Sequence, residues 1–491
     1  MKRSTPLAIT ARMLAILLVL TSLSPAFAQT SRGTVSGIVN DSAGAAIAGA
    51  TISLTNNQTG VARTTQSNGD GLYRFDAVDL GTYSVKITAP SFGEVTKTNI
   101  AVSANQIAQV DVQLAASGQQ ITVDVTAESG ASLQTEAPVR GGNIDSTKIV
   151  ELPIATRNPV SLALNLPGVS SNRYGFGAST FSVNGSRGRS NNFLIDGTEN
   201  NDISVAGQGF QITNTDAVQE VSVQTSNYDA EFGRAGGAVV NTITKSGGNN
   251  YHGSLSYLIE STRFNARSNT DALVPDVQSR ERPLPGTDQW FSGTFGGRII
   301  RERTFFFGAF QERRQNSSSS SNVITLSPAG RSTLRSLFPQ GSNSNVDTYL
   351  GVTDGADATS QLFTVALGAG RPGIEFGTLV FPFAQTFRDR QWQARIDHRL
   401  GEKDQLSGRY LYDDNISPTG GATPGFPGFF TSQANRFQNF AVSETHVFSS
   451  KFTNELRLAY NRIALAFPND PSNPLGLTLP AFDLGQVTPA T

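Results

Sequence analysis

Residue types that carry covalent or metal chemistry are scarce in this chain of 491 residues. It contains no cysteine, which excludes a thiol nucleophile, a zinc–thiolate centre and a disulfide framework. Its histidines are His252, His398 and His446; none has a glutamate three residues later, and the His-Glu-x-x-His pattern of zinc hydrolases does not occur. A Gly-x-Ser-x-Gly nucleophile elbow is absent, and so is the Gly-Lys pair of a phosphate-binding loop. No catalytic residue, metal ligand or cofactor is expected. With 38 basic against 39 acidic residues and a net charge of −1, the chain also lacks the basic excess of a nucleic-acid binder.

Function must therefore come from surfaces, and composition indicates the elements that build them. Charged residues make up 16%, against about 25% in ordinary soluble domains. The 48 glycines and 30 phenylalanines favour many short strands joined by polar turns over long helices. Residues 1–28 read as a secretory signal peptide: Lys2, Arg3 and Arg12 supply positive charge, 13–20 (MLAILLVL) supply the apolar core, and cleavage is expected between Ala28 and Gln29. That core is too short to span ~30 Å of hydrocarbon as a helix. No later segment offers about 18 continuous apolar residues, so any membrane crossing must be made by a closed β-barrel.

Residues 31–115 alternate apolar and polar in short bursts: 34–39 (TVSGIV), 50–54 (ATISL), 72–75 (LYRF) after the turn Asn68-Gly69-Asp70-Gly71, 82–87 (TYSVKI) and 107–114 (IAQVDVQL). The spacing predicts an antiparallel β-sandwich. The run GTVSGIVNDSAGAAIAGATISLTNNQTGVARTTQSNGDGLYRFDAVDLGTYSVKIT resembles the carboxypeptidase regulatory-like domain. Without zinc-ligand spacing, the module is expected to be accessory and non-catalytic.

Residues 120–245 carry a second resemblance. The stretches ELPIATRNPVSLALNLPGVSS (151–171), FSVNGSRGRSNNFLIDGTENND (181–202) and DAVQEVSVQTSNYDAEFGRAGGAVVNTITKSGGNNYHG (216–253) resemble the plug of Oar-like TonB-dependent transporters, which carry the regulatory-like sandwich ahead of the plug. The segment Gln120, Ile121, Thr122, Val123, Asp124, Val125 resembles a TonB box, a strand that pairs with the periplasmic partner TonB through its backbone; an ordinary plug strand or linker is the alternative. Independently of the resemblance, 191–197 (NNFLIDG) reads as a strand running into an Asp-Gly turn. A plug inside a polar lumen should offer charges, which makes Arg187, Arg189, Asp196, Glu231 and Arg234 candidate plug–barrel contacts, against solvated surface charges as the alternative.

From about residue 250, segments of roughly ten residues alternate or are rich in aromatics, as membrane β-strands of about 9–11 residues do. They are 251–260, 289–298, 304–313, 391–400, 405–412, 437–448 and 452–463. Trp290, Phe291, Phe295, Trp392, Tyr410 and Tyr412 suit aromatic girdles, with the filling of a soluble core as the alternative. The runs 315–322 (QNSSSSSN), 340–347 (QGSNSNVD) and 420–430 read as loops. RERTFFFGAFQERR and DHRLGEKDQLSGRYLYDD resemble Oar-like barrel hairpins. The visible spans are fewer than the about 22 strands of a plugged transporter, so the chain is expected to be the N-terminal part of a longer protein.

The expected fold is mainly β: an N-terminal β-sandwich, an α+β plug, and a partial antiparallel transmembrane β-barrel from 250 to 491. The resemblance implies a Gram-negative outer-membrane location with the sandwich in the periplasm. It also implies TonB with ExbB and ExbD as energy-coupling partners, the barrel assembly machinery, outer-membrane lipid, and an unidentified siderophore, oligosaccharide or peptide as substrate. Energised uptake is the leading expectation, a non-transporting adhesion or interaction protein the second, and an enzyme the weakest.

Overall fold

The computed structural model describes residues 32–115, 121–124, 140–154, 157–171, 181–202, 207–228, 232–233, 235–266, 285–368, 370–417, 432–449 and 452–466. The signal-peptide reading, with Ala28 and Gln29, lies outside the described residues, as do Gln120, Val125, Glu231 and Arg234.

The first region contains β1 (Gly33–Asp41), β2 (Thr51–Asn56), β3 (Ala62–Gln66), β4 (Leu72–Val78), β5 (Gly81–Thr88), β6 (Val95–Val102), β7 (Ile107–Gln109), β8 (Val112–Leu114) and β9 (Ile121–Asp124). One sheet runs β4-β1-β7 with β8 also on β1, the other β3-β2-β5-β6-β9. Alternate residues point between the sheets, so Val35, Val39, Ile52, Leu54, Phe75, Val85, Ile87 and Leu114 form one buried core. Each large aliphatic side chain so buried contributes about 1.5–3 kcal/mol of transfer free energy.

The sandwich is mixed, not wholly antiparallel: β7 and β8 run parallel to β1, and β9 runs parallel to β6. The single strand expected over 107–114 is broken at Val110–Asp111. There the Val110 amide donates to the Ser36 carbonyl (2.7 Å), and the Asp111 carboxylate accepts from the Ile38 amide (2.9 Å). Gly37 permits this crossing, because a Cβ there would lie 2.2 Å from the Val110 carbonyl oxygen.

The second region contains β10 (Arg140–Asp145), β11 (Val169–Ser171), β12 (Phe181–Val183), β13 (Asn192–Ile195), β14 (Thr198–Glu199), β15 (Val218–Ser226) and β16 (Val239–Thr244), with helix α1 (Ser146–Glu151) after β10. Its main sheet is ordered β10-β15-β16-β13-β14. Asp145 caps α1 by accepting from the Lys148 amide at 3.0 Å. Ile144, Ile149, Phe181, Phe193, Ile195, Val221 and Val240 are buried together, and Phe307, Ala309 and Leu411 of the third region belong to the same cluster. The apolar body of the plug-like region thus packs directly on the barrel wall.

That wall is an eight-stranded antiparallel sheet. Its strands are β17 (His252–Ser261), β18 (Gly286–Ile300), β19 (Thr304–Leu326), β20 (Ser360–Val365), β21 (Ile374–Arg399), β22 (Asp404–Ser417), β23 (Gln433–Ser449) and β24 (Phe452–Ala466). Among the described residues β17 and β24 stand at its two ends and do not pair, so the barrel is partial. The inward face is mostly polar, with Gln391, Gln393, Asp397, Arg409, Asp413 and Asn439 buried beside the apolar Phe307, Ala309 and Leu411, whereas Tyr257, Phe295, Trp392, Leu458 and Tyr460 are exposed on the other face. This apolar-out, polar-in alternation is that of a membrane barrel.

Three expectations for this region are corrected. Trp290 is not in a girdle: it is buried on the inward face between Arg157 and Arg313, whose guanidinium carbons lie 5.5 and 4.3 Å from its ring centroid. The serine run is not a loop: Ser317 pairs with Gln385 and Asn322 with Val380 in the extended β19–β21 ladder. With 23 and 26 residues, β19 and β21 greatly exceed the about 9–11 residues that lipid requires. The ladder is therefore long enough to extend past the hydrocarbon. The stretch 340–347 also leads into a helix, α3 (Ser344–Val352), which follows α2 (Pro328–Leu337) at the far end of that hairpin.

Candidate functional site

The densest polar contact between plug region and wall forms at one turn. Asp196 (φ 46°) and Gly197 (φ 70°) join β13 to β14. An Asp-Gly pair suits a two-residue hairpin whose central residues both need positive φ. The Asp196 carboxylate accepts from the Thr244 amide and hydroxyl, both at 2.8 Å. It is ion-paired with Arg409 of β22, and Arg395 of β21 lies 3.9 Å away. Arg409 also donates to Thr198 Oγ1 (3.2 Å) and to Asn439 Oδ1 of β23 (2.5 Å). From β24, Arg457 donates to the Gly197 carbonyl at 2.9 Å. Three wall strands thus converge on one plug turn, and β23 supports Arg409 from behind. Burial alone would raise the Asp196 carboxyl, but Arg409, then Arg395, then the Thr244 donors hold it below the ordinary carboxylate range.

Farther along the wall the contacts are mostly amides. Gln391 accepts from the Thr213 amide (3.1 Å) and donates to the Gln211 carbonyl (2.9 Å). Asn214 donates to the Phe310 carbonyl (3.3 Å), and Ser254 donates to Asp216 (2.7 Å). The neutral bonds among these are each worth about 0.5–1.5 kcal/mol, and the bond to the Asp216 carboxylate about 1.5–3 kcal/mol.

The sandwich closes the near end. Arg32 pairs with Asp79 (3.1 Å) and donates to Thr445 of the wall (2.6 Å), while Gln405 donates to Asp79 (2.7 Å). Against the plug region, the buried Glu220 accepts from the Ala104 amide of the sandwich (2.9 Å) and from Asn143 (2.8 Å). Burial drives the Glu220 carboxyl up to about 7, partly opposed by the hydrogen bonds from Ala104 and Ser103. A cavity where the three regions meet is lined by charged groups including Arg32, Asp79, Asp196, Arg395 and Glu455.

Of the candidate contacts from sequence, Asp196 lies at the centre of this interface, whereas Arg187 and Arg189 are exposed and enter no ion pair among the described residues. Ile121, Thr122, Val123 and Asp124 form β9 on the edge of the sandwich sheet. Sequence reasoning did not single out Arg395, Arg409, Arg457, Gln391 or Glu220. A period-two polar row, Gln391, Gln393, Arg395, Asp397, was the available signal for Gln391 and Arg395. Among the described residues, Asp404, Glu444 and His446 are close enough to share a cation, with ligand atoms within 4.8 Å of one another. His446 Nδ1 is already 2.5 Å from Asp404.

The arrangement ties one charged turn to several wall strands, adds amide contacts farther along, and binds the sandwich to both plug region and wall. The outer membrane beta barrel domain family matches residues 243–489, the carboxypeptidase regulatory-like domain matches 34–115, and the TonB-dependent receptor plug domain matches 133–240. The TonB-dependent transporter Oar of Myxococcus xanthus is 28% identical over 301 residues, covering 58% of this chain and 27% of that relative. The chain thus spans about a quarter of the length of the curated relative it matches. Among solved structures, a ferric enterobactin receptor mutant of Pseudomonas aeruginosa is similar with 14% identity and a TM-score of 0.42, over 68% of this chain and 44% of that one. The outer membrane transporter YddB of Escherichia coli is similar with 14% identity and a TM-score of 0.44, over 66% and 39%.

Proposed function

The chain belongs to the outer-membrane β-barrel domain family, and from that premise we propose that it forms the sandwich, plug and first wall of a TonB-dependent receptor that imports a bulky nutrient. The observation that carries this reading is the Asp196–Gly197 turn held by Arg395, Arg409 and Arg457 from three different wall strands. A body anchored so is positioned to block a lumen and must be released for passage. TonB supplies the release by pairing with a strand ahead of the plug and pulling, with ExbB and ExbD delivering the energy of the inner-membrane proton gradient. The barrel assembly machinery inserts the wall, and outer-membrane lipid surrounds its apolar face. The substrate is a siderophore, oligosaccharide or peptide, and the chain's own chemistry is recognition and movement, not catalysis.

Cells lacking this protein, cells lacking TonB and wild-type cells grown on a panel of such nutrients test the reading. It expects loss of the same nutrient in both deletion strains. A phenotype in surface attachment alone, indifferent to TonB, would instead establish an adhesion protein, which the sandwich module beside a barrel also suits.

A further inference from the structure

The strand β9 completes the sandwich's second sheet at its edge, in the order β3-β2-β5-β6-β9. It lies parallel to β6, with Val95 opposite Ile121, Thr96 opposite Thr122, Lys97 opposite Val123 and Thr98 opposite Asp124. The other side of β6 is taken by β5, so β9 is what covers the remaining backbone edge of β6. The ladder is only four residues long and parallel, which is the weaker pairing mode. Short edge elements with few contacts are the first to open locally.

The place of β9 in the chain gives this contact a consequence. It follows the sandwich and precedes the plug region, while the sandwich itself is tied to the wall through Arg32–Thr445 and Gln405–Asp79. Tension applied at β9 and directed to the plug must first take β9 off β6, or else tear the sandwich from the wall.

We propose that the β6 edge is the resting dock of the TonB-pairing strand, and that TonB acquires β9 by strand exchange from the chain's own sandwich. This rests on the TonB-coupled reading above. The exchange is chemically symmetric: the same backbone N–H and C=O groups leave one ladder and join another. The sandwich is then a built-in competitor that keeps the strand from TonB until docking is loosened.

Hydrogen exchange on the full chain in outer-membrane vesicles, with and without the C-terminal domain of TonB, tests it. The expected result is that TonB leaves 121–124 protected while exchange at 95–98 accelerates at least about tenfold, because the β6 edge has been bared. Slow exchange at 95–98 together with added protection at 121–124 would mean that TonB joins the far edge of β9, and the proposal fails. TonB binding with neither segment changed, or no binding, would instead overturn the TonB-strand assignment beneath it. A second measurement uses the absence of native cysteine: Thr96→Cys with Thr122→Cys places a single thiol pair across the ladder. Capture of the TonB domain should fall at least about tenfold in the oxidised form and return on reduction; equal capture in both forms would contradict the exchange.

Discussion

Asp196 and Arg409 form a buried ion pair across the plug–wall boundary, linking residues 213 positions apart in the chain. Such a pair gives little net stability relative to an apolar contact, yet breaking it from one side leaves a charge stranded. Arg409 is only 4% exposed, so without Asp196 its charge keeps just the neutral partners Thr198 and Asn439.

Asp196→Asn is therefore expected to weaken plug seating by about 3–5 kcal/mol. Thermal unfolding in detergent should shift down, and protease cleavage within the plug should quicken. Because the Asp196 carboxyl lies below its ordinary value, its contribution is present above the ordinary carboxylate range and lost as pH falls through the lowered value. Seating should accordingly be flat from about pH 5 to 8 and decline only in stronger acid.

Gly197→Ala tests the turn itself. The backbone sits at φ 70°, and a Cβ would lie 2.2 Å from the Arg457 guanidinium. Arg457 must shift and surrender its bond to the Gly197 carbonyl, so a loss of about 1–3 kcal/mol is expected. Gly185, also at positive φ but with open space for 4 Å around the position a Cβ would take, is the control: alanine there should show the backbone effect alone.

The sandwich–plug joint should respond to pH in the opposite sense. Glu220 is raised to about 7, so docking against Ala104 is fully favoured below the ordinary glutamate value and weakens as pH rises through about 7. The shift corresponds to something on the order of 3 kcal/mol across that window. Amide exchange at Ala104 should accelerate between about pH 6 and 8, and Glu220→Gln should flatten the profile. A pH profile in the variant identical to that of the wild type would remove Glu220 from this role.

Much of the architecture was legible because period-two alternation is written residue by residue. The buried faces of β1, β5 and β22, and the Asp196-Gly197 turn, follow from local pattern. What was not legible depends on partners distant in sequence. Val110 and Asp111 break their strand because β1 runs alongside, which no local window contains. Trp290 resembles a girdle residue by type, but its position in the alternation turns it inward to Arg157 and Arg313. The serine run lacks apolar alternation, and only its pairing with the sequence-distant β21 makes it strand. Arg409 and Arg457 carry no signal as charges; only the fold brings them to one turn.

The central claim is that the plug must leave the wall for a nutrient to pass, and tethering the two tests it most directly. Asp196→Cys with Arg409→Cys puts the only two thiols of the chain on either side of the latch, to be joined in living cells by a reducible bifunctional thiol reagent long enough to span it. The account predicts that surface binding of the nutrient persists while uptake falls at least about tenfold, recovering when the tether is cleaved. Uptake undiminished with the plug tethered would contradict it.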